Sequence, residues 1–357
     1  MNILFYASRL RYGGGEKVRN WLAKVLSENG HCVYFATSEM TNNYFLDLEI
    51  AGLKDIVKVI EYKPALKKTN LIKYYNHIKH IYKKYGINVI IYFGGSLIEQ
   101  VVAKRCGVKI ILSERFYNGF RPLKSRILKQ IQYRIADGYV FQTPEASQVY
   151  GKRAEQLGVV IPNPIIDKLP DPQYDNLRKE IVTAGRLMPQ KDHMTLIDAF
   201  ALFHKKHSEY KLIIYGSGPL KEKLEDRIRS LGLAEVAFII SGKTNISELE
   251  RGAELFVLSS LAEGMPNALI EAMSIGVQCI STDCPIYGSR MLITDKQNGF
   301  LVPVKDVNAL SEAMCFAVQN AETADMIRHN AVKIRQTLDE NLIAKSWLNY
   351  ISSITGR

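Results

Sequence analysis

The sequence predicts an α/β protein of two parallel-sheet domains facing a central cleft, and three observations carry that reading. Apolar runs of strand length alternate with amphipathic helical stretches, the pattern of a parallel sheet built from successive crossovers. A proline-dense segment breaks this alternation near the middle, between Ile161 and Pro172, where Pro162, Pro164, Pro170 and Pro172 hold four of the 12 prolines. At 357 residues the chain also exceeds the size at which a single core keeps growing. Residues 1–164 are read as a first domain, 165–338 as a second, and 339–357 as a helix packing back toward the first.

Taken in order, residues 2–8 form a buried strand followed by Arg9 to Lys17, RLRYGGGEK, and a helix through Val18, Trp21, Leu22, Val25 and Leu26. Glycine takes positive φ without penalty and lets backbone approach a ligand, so Gly14 and Gly15 are candidate contacts to a phosphate or sugar. Gly13, Gly14 and Gly15 do not have the G-x-G-x-x-G spacing of a dinucleotide fingerprint. Strands are expected at Cys32–Ala36, Ile56–Ile60, Val89–Phe93, Ile110–Leu112 and Gly138–Phe141, and beyond the prolines at Ile181–Ala184, Lys211–Tyr215, Val236–Ile240, Leu255–Leu258 and Val277–Ser281. The last segment sets Ile343, Trp347, Ile351 and Ile354 on one helical stripe.

Charge is unevenly shared. Residues 1–165 carry 25 Lys+Arg against 12 Asp+Glu, a net +13, whereas the remainder carries 22 against 24, a net −2. That asymmetry suggests a surface facing a polyanion, either nucleic acid or an acidic leaflet. No nucleic-acid module accompanies it, so the leaflet is the partner expected and nucleic acid is not. Two segments concentrate the excess. Leu66 to Tyr85 sets Leu71, Tyr74, Ile78, Ile81 and Tyr85 beside Lys67, Lys68, Lys73, Lys79, Lys83 and Lys84. Phe116 to Ile135 sets Leu123, Ile127, Leu128 and Ile131 beside Arg121, Lys124, Arg126, Lys129 and Arg134. Each reads either as a core-facing stripe with solvated cations or as an interfacial helix on anionic lipid. Five cysteines without CxxC spacing indicate neither a disulfide framework nor a zinc site. No signal peptide is recognised at the N-terminus, and no apolar run approaches the roughly 18 residues of a membrane span. The expected location is the cytoplasm, peripheral on the inner face of the cell membrane.

The chemistry gathers at strand ends. Ser259 to Gly276, SSLAEGMPNALIEAMSIG, leaves an apolar strand, turns through Glu263, Gly264 and Pro266, and enters a helix. Backbone N–H groups at a helix start lack intrahelical partners, so Gly264, Met265, Pro266, Asn267 and Ala268 suit an anionic or hydroxyl-rich ligand. Glu263 in the loop and Glu271 one turn into the helix lie at different depths and can grip two parts of one ligand; the rival reading is two solvated glutamates. Strand Ile181–Ala184 ends in Gly185-Arg186, with Lys191 five residues on, and strand Lys211–Tyr215 ends in Gly216-Ser217-Gly218-Pro219. Two cations beside a helix start at the carboxyl edge of a parallel sheet make a diphosphate site, the arginine as a fork and the lysine as a point charge.

Gly185, Arg186, Lys191, Gly216-x-Gly218-Pro219, the Glu263-x7-Glu271 pair and the SIGVQCISTDCP and NGFLVP runs resemble the retaining glycosyltransferases of family 4, whose fold is GT-B, two Rossmann-like domains facing a cleft. The similarity is concentrated in residues 181–303. Ser113-Glu114-Arg115 resembles a run in a bacterial subgroup that builds surface polysaccharides, lipopolysaccharide or capsule, on lipid carriers. The resemblance implies that Arg186 and Lys191 hold the nucleotide diphosphate, that Glu271 binds the ribose hydroxyls, and that Glu263 with the amides after it contacts the donor sugar. It also implies that the segment of Lys243, Asn245 and Ile246 lies against the base. Arg115 stands where many members place a histidine, and Glu114 and Arg115 are candidate sugar or acceptor contacts. No two aspartates are separated by a single residue, so the metal-holding DxD pair is missing and no metal or other cofactor is expected. The predicted function is transfer of a hexose or N-acetylhexosamine from a UDP-sugar to a lipid-linked glycan. Two alternatives are a non-catalytic partner of another transferase that binds nucleotide sugar or membrane, and a nucleotide-dependent oxidoreductase using Gly13–Gly15 and Glu39.

Overall fold

The computed structural model describes residues 1–7, 10, 14–38, 41–63, 70–94, 96–115, 123–166, 168–242, 245–285 and 288–356, with backbone only at 42, 43 and 123–126. The chain forms two units: Met1–Ile166 with Glu340–Arg357, and Asp167–Asp339. Sequence expectation put the divides at 164/165 and 338/339.

The first unit is built on a seven-stranded sheet of β1 (Asn2–Tyr6), β2 (Cys32–Thr37), β3 (Val57–Glu61), β4 (Val89–Tyr92), β5 (Lys109–Ser113), β6 (Gly138–Phe141) and β7 (Gly158–Val160), in the order β3-β2-β1-β4-β5-β6-β7. Every pairing is parallel. Both faces are covered, which is why the strands read as continuous apolar runs rather than alternating ones. Ile3 and Phe5 point into one core, with Trp21, Leu22 and Trp347, while Leu4 points into the other, with Tyr74, Ile78 and Ile110. The helix Glu340–Thr355 completes the first of these cores: Ile343, Trp347 and Ile351 are buried. It is also pinned by polar contacts, since Trp21 Nε1 donates to Glu340 Oε1 at 2.5 Å and Tyr350 OH accepts from Tyr139 N at 2.7 Å.

The second unit repeats the plan with β8 (Arg178–Ala184), β9 (Lys211–Tyr215), β10 (Ala237–Ile240), β11 (Ala253–Leu258), β12 (Gln278–Thr282) and β13 (Phe300–Val302), in the order β10-β9-β8-β11-β12-β13. Again all pairings are parallel. The order reverses between β8 and β11, so the loops leaving those two strands flank the switch point, where open parallel sheets bind ligands.

Several expectations are corrected. The first strand ends at Tyr6, and polar residues such as Lys109, Glu61 and Arg178 extend other strands, because the ladder continues past the apolar run. β7 and β13 are only three residues long, too short for periodicity to reveal. For the helix Leu123–Ile135 the sequence leaves a core-facing and an interfacial stripe open, and the core-facing one is excluded: Ile127, Leu128 and Ile131 are exposed, and Gln132 and Tyr133 turn inward. Tyr133 stacks on Tyr139 and Tyr150 with centroids 5.2 and 4.0 Å away, so the large aromatic face takes the inner side. In the helix Leu71–Lys84, Tyr74, Ile78, Ile81 and Tyr82 are buried, but Leu71 and Ile72 are exposed, Ile72 at 74%. The parts of these two segments at 66–69 and 116–122 lie outside the described residues. No helix among the described residues is long and apolar enough to cross a membrane.

Candidate active site in the second unit

Three loops at the carboxyl edge of the second sheet are hydrogen-bonded into one surface. Gly185 N donates to Tyr215 O at 3.0 Å and Leu187 N to Ser217 O at 2.9 Å, joining the turns after β8 and β9. The glycines of the second turn are required by this closeness: a Cβ on Gly216 would lie 2.0 Å from Gly185 O, and one on Gly218 2.5 Å from Leu187 O. The turn Pro189–Lys191 is in turn joined to the loop after β11. Leu261 N donates to Gln190 O at 2.8 Å, Gln190 Nε2 to Ala262 O at 2.7 Å, and Ser259 Oγ to Lys191 O at 3.0 Å.

This framework brings Lys191 Nζ to 2.5 Å from Glu263 Oε1, although the two residues are far apart in sequence. Ser260 Oγ donates to the same carboxylate oxygen at 2.7 Å, and its own carbonyl accepts from Thr282 Oγ1 at 2.6 Å. The pair is largely withdrawn from solvent, with side chains 17% and 10% exposed. A charge-assisted bond in such surroundings fixes the carboxylate's direction. The surroundings register both charges. Burial, followed by the Lys191 charge, lowers His193 to about 4, and burial, followed by Glu263, raises the Cys284 thiol to about 12. Arg186 lies exposed beyond the end of β8.

Beyond Glu263, the residues Gly264, Met265 and Pro266 are buried, and Asn267 and Ala268 open the helix Asn267–Ser274 half-buried. A Cβ on Gly288 would fall 1.5 Å from Gly264 O, so the segment after β12 presses against this loop. Glu271 is half-buried one turn in, and its neighbour is Glu250, at the end of the helix Ile246–Glu250. Glu250 is 1% exposed, and neither carboxyl oxygen has a hydrogen-bond partner. Burial, followed by the Glu271 charge, pushes the Glu250 carboxyl well above the usual carboxylate range. Asn245 sits in the left-handed region at φ 56° ahead of Ile246, and Lys243 lies outside the described residues.

The candidates of the first unit fall into separate environments. Gly14 is exposed and opens the helix Gly14–Glu28, and around Gly15 the space a Cβ would need is empty. Glu114 is buried, 2.7 Å from Lys129 Nζ, and accepts from Tyr133 OH at 2.9 Å. Its neighbour Arg115 points elsewhere: Nε donates to Ser113 Oγ at 2.9 Å, Nη1 donates to Asn163 Oδ1, and the guanidinium lies 5.1 Å from the Phe93 ring and 5.8 Å from the Trp347 ring.

Sequence reasoning missed Ser260, Gln190, Glu250 and Gly288. Ser260 sits three residues before Glu263, inside a stretch already singled out; the other three reveal themselves only through long-range packing. Among the described residues no group of three or more His, Cys, Asp or Glu side chains is placed to hold a metal ion.

Residues 169–334 match the family model described as glycosyl transferases group 1. An uncharacterized glycosyltransferase of Methanocaldococcus jannaschii is 34% identical over 180 residues, 46% of this chain and 44% of that protein, so the chain spans less than half of that relative's length. A Campylobacter jejuni α-1,4-N-acetyl-D-galactosaminyltransferase, named for a diphospho-undecaprenol-linked glycan, is 24% identical over 99% of each chain. Among solved structures, Anabaena HepE in complex with UDP and glucose superimposes with a TM-score of 0.84 at 18% identity, covering 99% of this chain and 100% of that one, a match in fold. The fold is GT-B, and the stretch matched by the glycosyl transferases group 1 model falls within the second unit.

Proposed function

We propose, proceeding from the group 1 glycosyltransferase domain in residues 169–334, that the protein is a retaining, metal-independent enzyme of family 4. In this reading it moves a hexose or N-acetylhexosamine from a UDP-sugar to a lipid-linked glycan during assembly of a bacterial surface polysaccharide. The observation that carries the reading is the Lys191–Glu263–Ser260 cluster at the switch point of the second sheet. It supplies a cation and an oriented carboxylate side by side, the two groups that a sugar bonded to a diphosphate requires. The name of the Campylobacter relative supports the acceptor class.

In the reaction, Arg186 and Lys191 stabilise negative charge on the departing diphosphate, the task that a divalent ion performs where a DxD pair exists. Glu263 accepts hydrogen bonds from donor-sugar hydroxyls, its direction fixed by Ser260 and Lys191. Glu271 accepts from the ribose hydroxyls, and burial of the neighbouring Glu250 disfavours a second negative charge beside it. The amides of residues 264–268 and the glycines 185, 216 and 218 let backbone approach the donor. In a front-face mechanism the departing phosphate oxygen takes the acceptor proton while the protein orients both reactants. Exposed Leu71 and Ile72 beside Lys73, and exposed Ile127, Leu128 and Ile131, support docking of the first unit on an anionic leaflet where a lipid-linked acceptor diffuses.

The test is to offer the full chain a panel of UDP-, GDP- and ADP-sugars and to record hydrolysis and thermal stabilisation, with and without excess EDTA. A UDP-sugar turned over equally in both conditions is expected. Preference for another base replaces the donor assignment. Activity abolished by chelation and restored by Mg²⁺ or Mn²⁺ replaces metal independence.

A further inference from the structure

Beyond β5 of the first unit the chain holds a cation that, among the described residues, forms no ion pair with a carboxylate. The two side-chain bonds of Arg115 go to a hydroxyl, Ser113 Oγ at 2.9 Å, and to an amide oxygen, Asn163 Oδ1. The adjacent carboxylate of Glu114 is committed to Lys129 and Tyr133. The third guanidinium nitrogen, Nη2, is enclosed and has no hydrogen-bond partner. Against the same guanidinium lies the Trp347 ring, whose Nε1 is likewise enclosed and without a partner. Among the described residues two enclosed donors are thus left without an acceptor, one on the charged guanidinium and one on the ring beside it. Burial lowers the arginine to about 9 against the opposing influence of the nearby Glu114 charge, so it remains a cation at neutral pH despite its desolvation.

A buried cation without a counter-charge is costly, and an unsatisfied buried donor adds to that cost. Both are relieved by one incoming anion. The neutral cradle is suited to release the guanidinium toward it. Asn163 Oδ1 also accepts from Gln142 Nε2 at 2.8 Å, so it stays satisfied when Nη1 turns away. The Phe93 and Trp347 rings, whose centroids lie 6.4 Å apart, support the guanidinium plane without competing for its protons.

We propose that Arg115, seconded by Trp347 Nε1, is an anion-binding residue of the first unit that takes a phosphate-class group of the acceptor. This rests on the lipid-linked acceptor reading above. A planar fork with a free N–H edge matches two oxygens of a phosphoryl group. The phosphates available to the enzyme come from two sources, the acceptor's diphosphate and the donor's, and the experiment separates them.

Farnesyl diphosphate and UDP are titrated separately into the full chain by calorimetry, for the parent, Arg115→Gln, Arg115→Lys and Trp347→Phe. Arg115→Gln is expected to weaken farnesyl diphosphate about tenfold to a hundredfold, the scale of a lost charge-assisted bond, with UDP affinity unchanged. Arg115→Lys keeps the charge without the fork and should fall between. Trp347→Phe, which keeps a ring but removes the N–H, should cost about threefold to tenfold and serves if Arg115→Gln does not fold. Unchanged farnesyl diphosphate affinity in Arg115→Gln overturns the proposal and makes the guanidinium a structural, water-satisfied clamp. A parallel loss for UDP overturns it in favour of the donor's phosphates. A parent that binds UDP but not farnesyl diphosphate overturns the lipid-linked acceptor reading itself, whatever the variants do.

Discussion

The cation leaving β8 in the second unit meets a carboxylate, Lys191 on Glu263 at 2.5 Å, whereas the cation leaving β5 in the first, Arg115, hydrogen-bonds to neutral oxygens and lies against aromatic rings. The glycine turns differ in the same sense. Gly216 and Gly218 have no room for a Cβ because neighbouring turns press on them, while Gly15 stands in open space. The second edge is thus a tightly coupled surface in which Lys191 and Glu263 are paired, and the first is a looser one whose arginine has no ion-pair partner among the described residues. A balanced pair stays oriented whether or not a ligand is present, and an unbalanced cation gains most from a ligand of opposite charge.

The largest expected effect tests the balanced pair. Arg186→Ala and Lys191→Ala should each reduce turnover by roughly 10²–10³, as removal of a preorganised charge-stabilising group does. Only Lys191→Ala should also lower the thermal midpoint, because it strands Glu263 in a dry site, while the exposed Arg186 should leave the midpoint nearly unchanged. Equal losses of midpoint would mean the pair is not the special element of this edge. Next come the glutamates, whose hydrogen bonds are worth roughly 1.5–3 kcal/mol each. Glu271→Gln should weaken UDP itself, and Glu263→Gln should weaken the intact sugar nucleotide far more than UDP; calorimetry giving the same loss of UDP affinity for both would remove their division of labour.

A smaller effect separates the two glycine turns. Gly216→Ala forces a methyl against the Gly185 carbonyl and should cost about 1–3 kcal/mol of stability in a denaturant titration. Gly15→Ala should stay within about 0.5 kcal/mol. If Gly15→Ala proved as costly, the contrast between the edges would fail. The smallest effect concerns the first unit's surface. Replacing exposed Leu71 and Ile72 together by Gln should lower co-sedimentation with phosphatidylglycerol vesicles several-fold and leave UDP affinity intact, whereas unchanged co-sedimentation would count against this helix as a lipid contact.

Much of the fold is legible in the sequence because strands covered on both faces are apolar throughout, as in Leu255 to Leu258, and need no knowledge of their partners. The Glu263 loop and the Glu271 helix are legible for a related reason, since loop, cap and helix are local events. What stays hidden depends on contacts distant in sequence. Lys191 and Glu263 can be singled out separately, but their pairing follows from the joined turns that only the sheet order brings together. Glu250 looks like any surface glutamate until the helix Asn267–Ser274 covers it. The cradle of Arg115 likewise draws on Ser113, Asn163, Phe93 and Trp347, from four separate stretches. The stripe of Ile127, Leu128 and Ile131, which spacing alone leaves open between core and surface, is decided by another cause. Aliphatic spacing marks a face that can be buried, and here the aromatic stack of Tyr133 with Tyr139 and Tyr150 claims the inside instead.

The helix Glu340–Thr355 belongs to the first unit, so that unit is assembled from two stretches separated by the whole of the second. On the ribosome this inverts the usual order in which the N-terminal domain closes first. Residues 167–339 emerge as one continuous stretch and can close their core while the sheet of the first unit still awaits Trp347, the fully buried side chain that stacks on Phe93. Until the helix arrives, the apolar face bearing Ile3, Phe5 and Val18 lacks its cover, and the nascent chain is most open to aggregation and proteolysis in that interval.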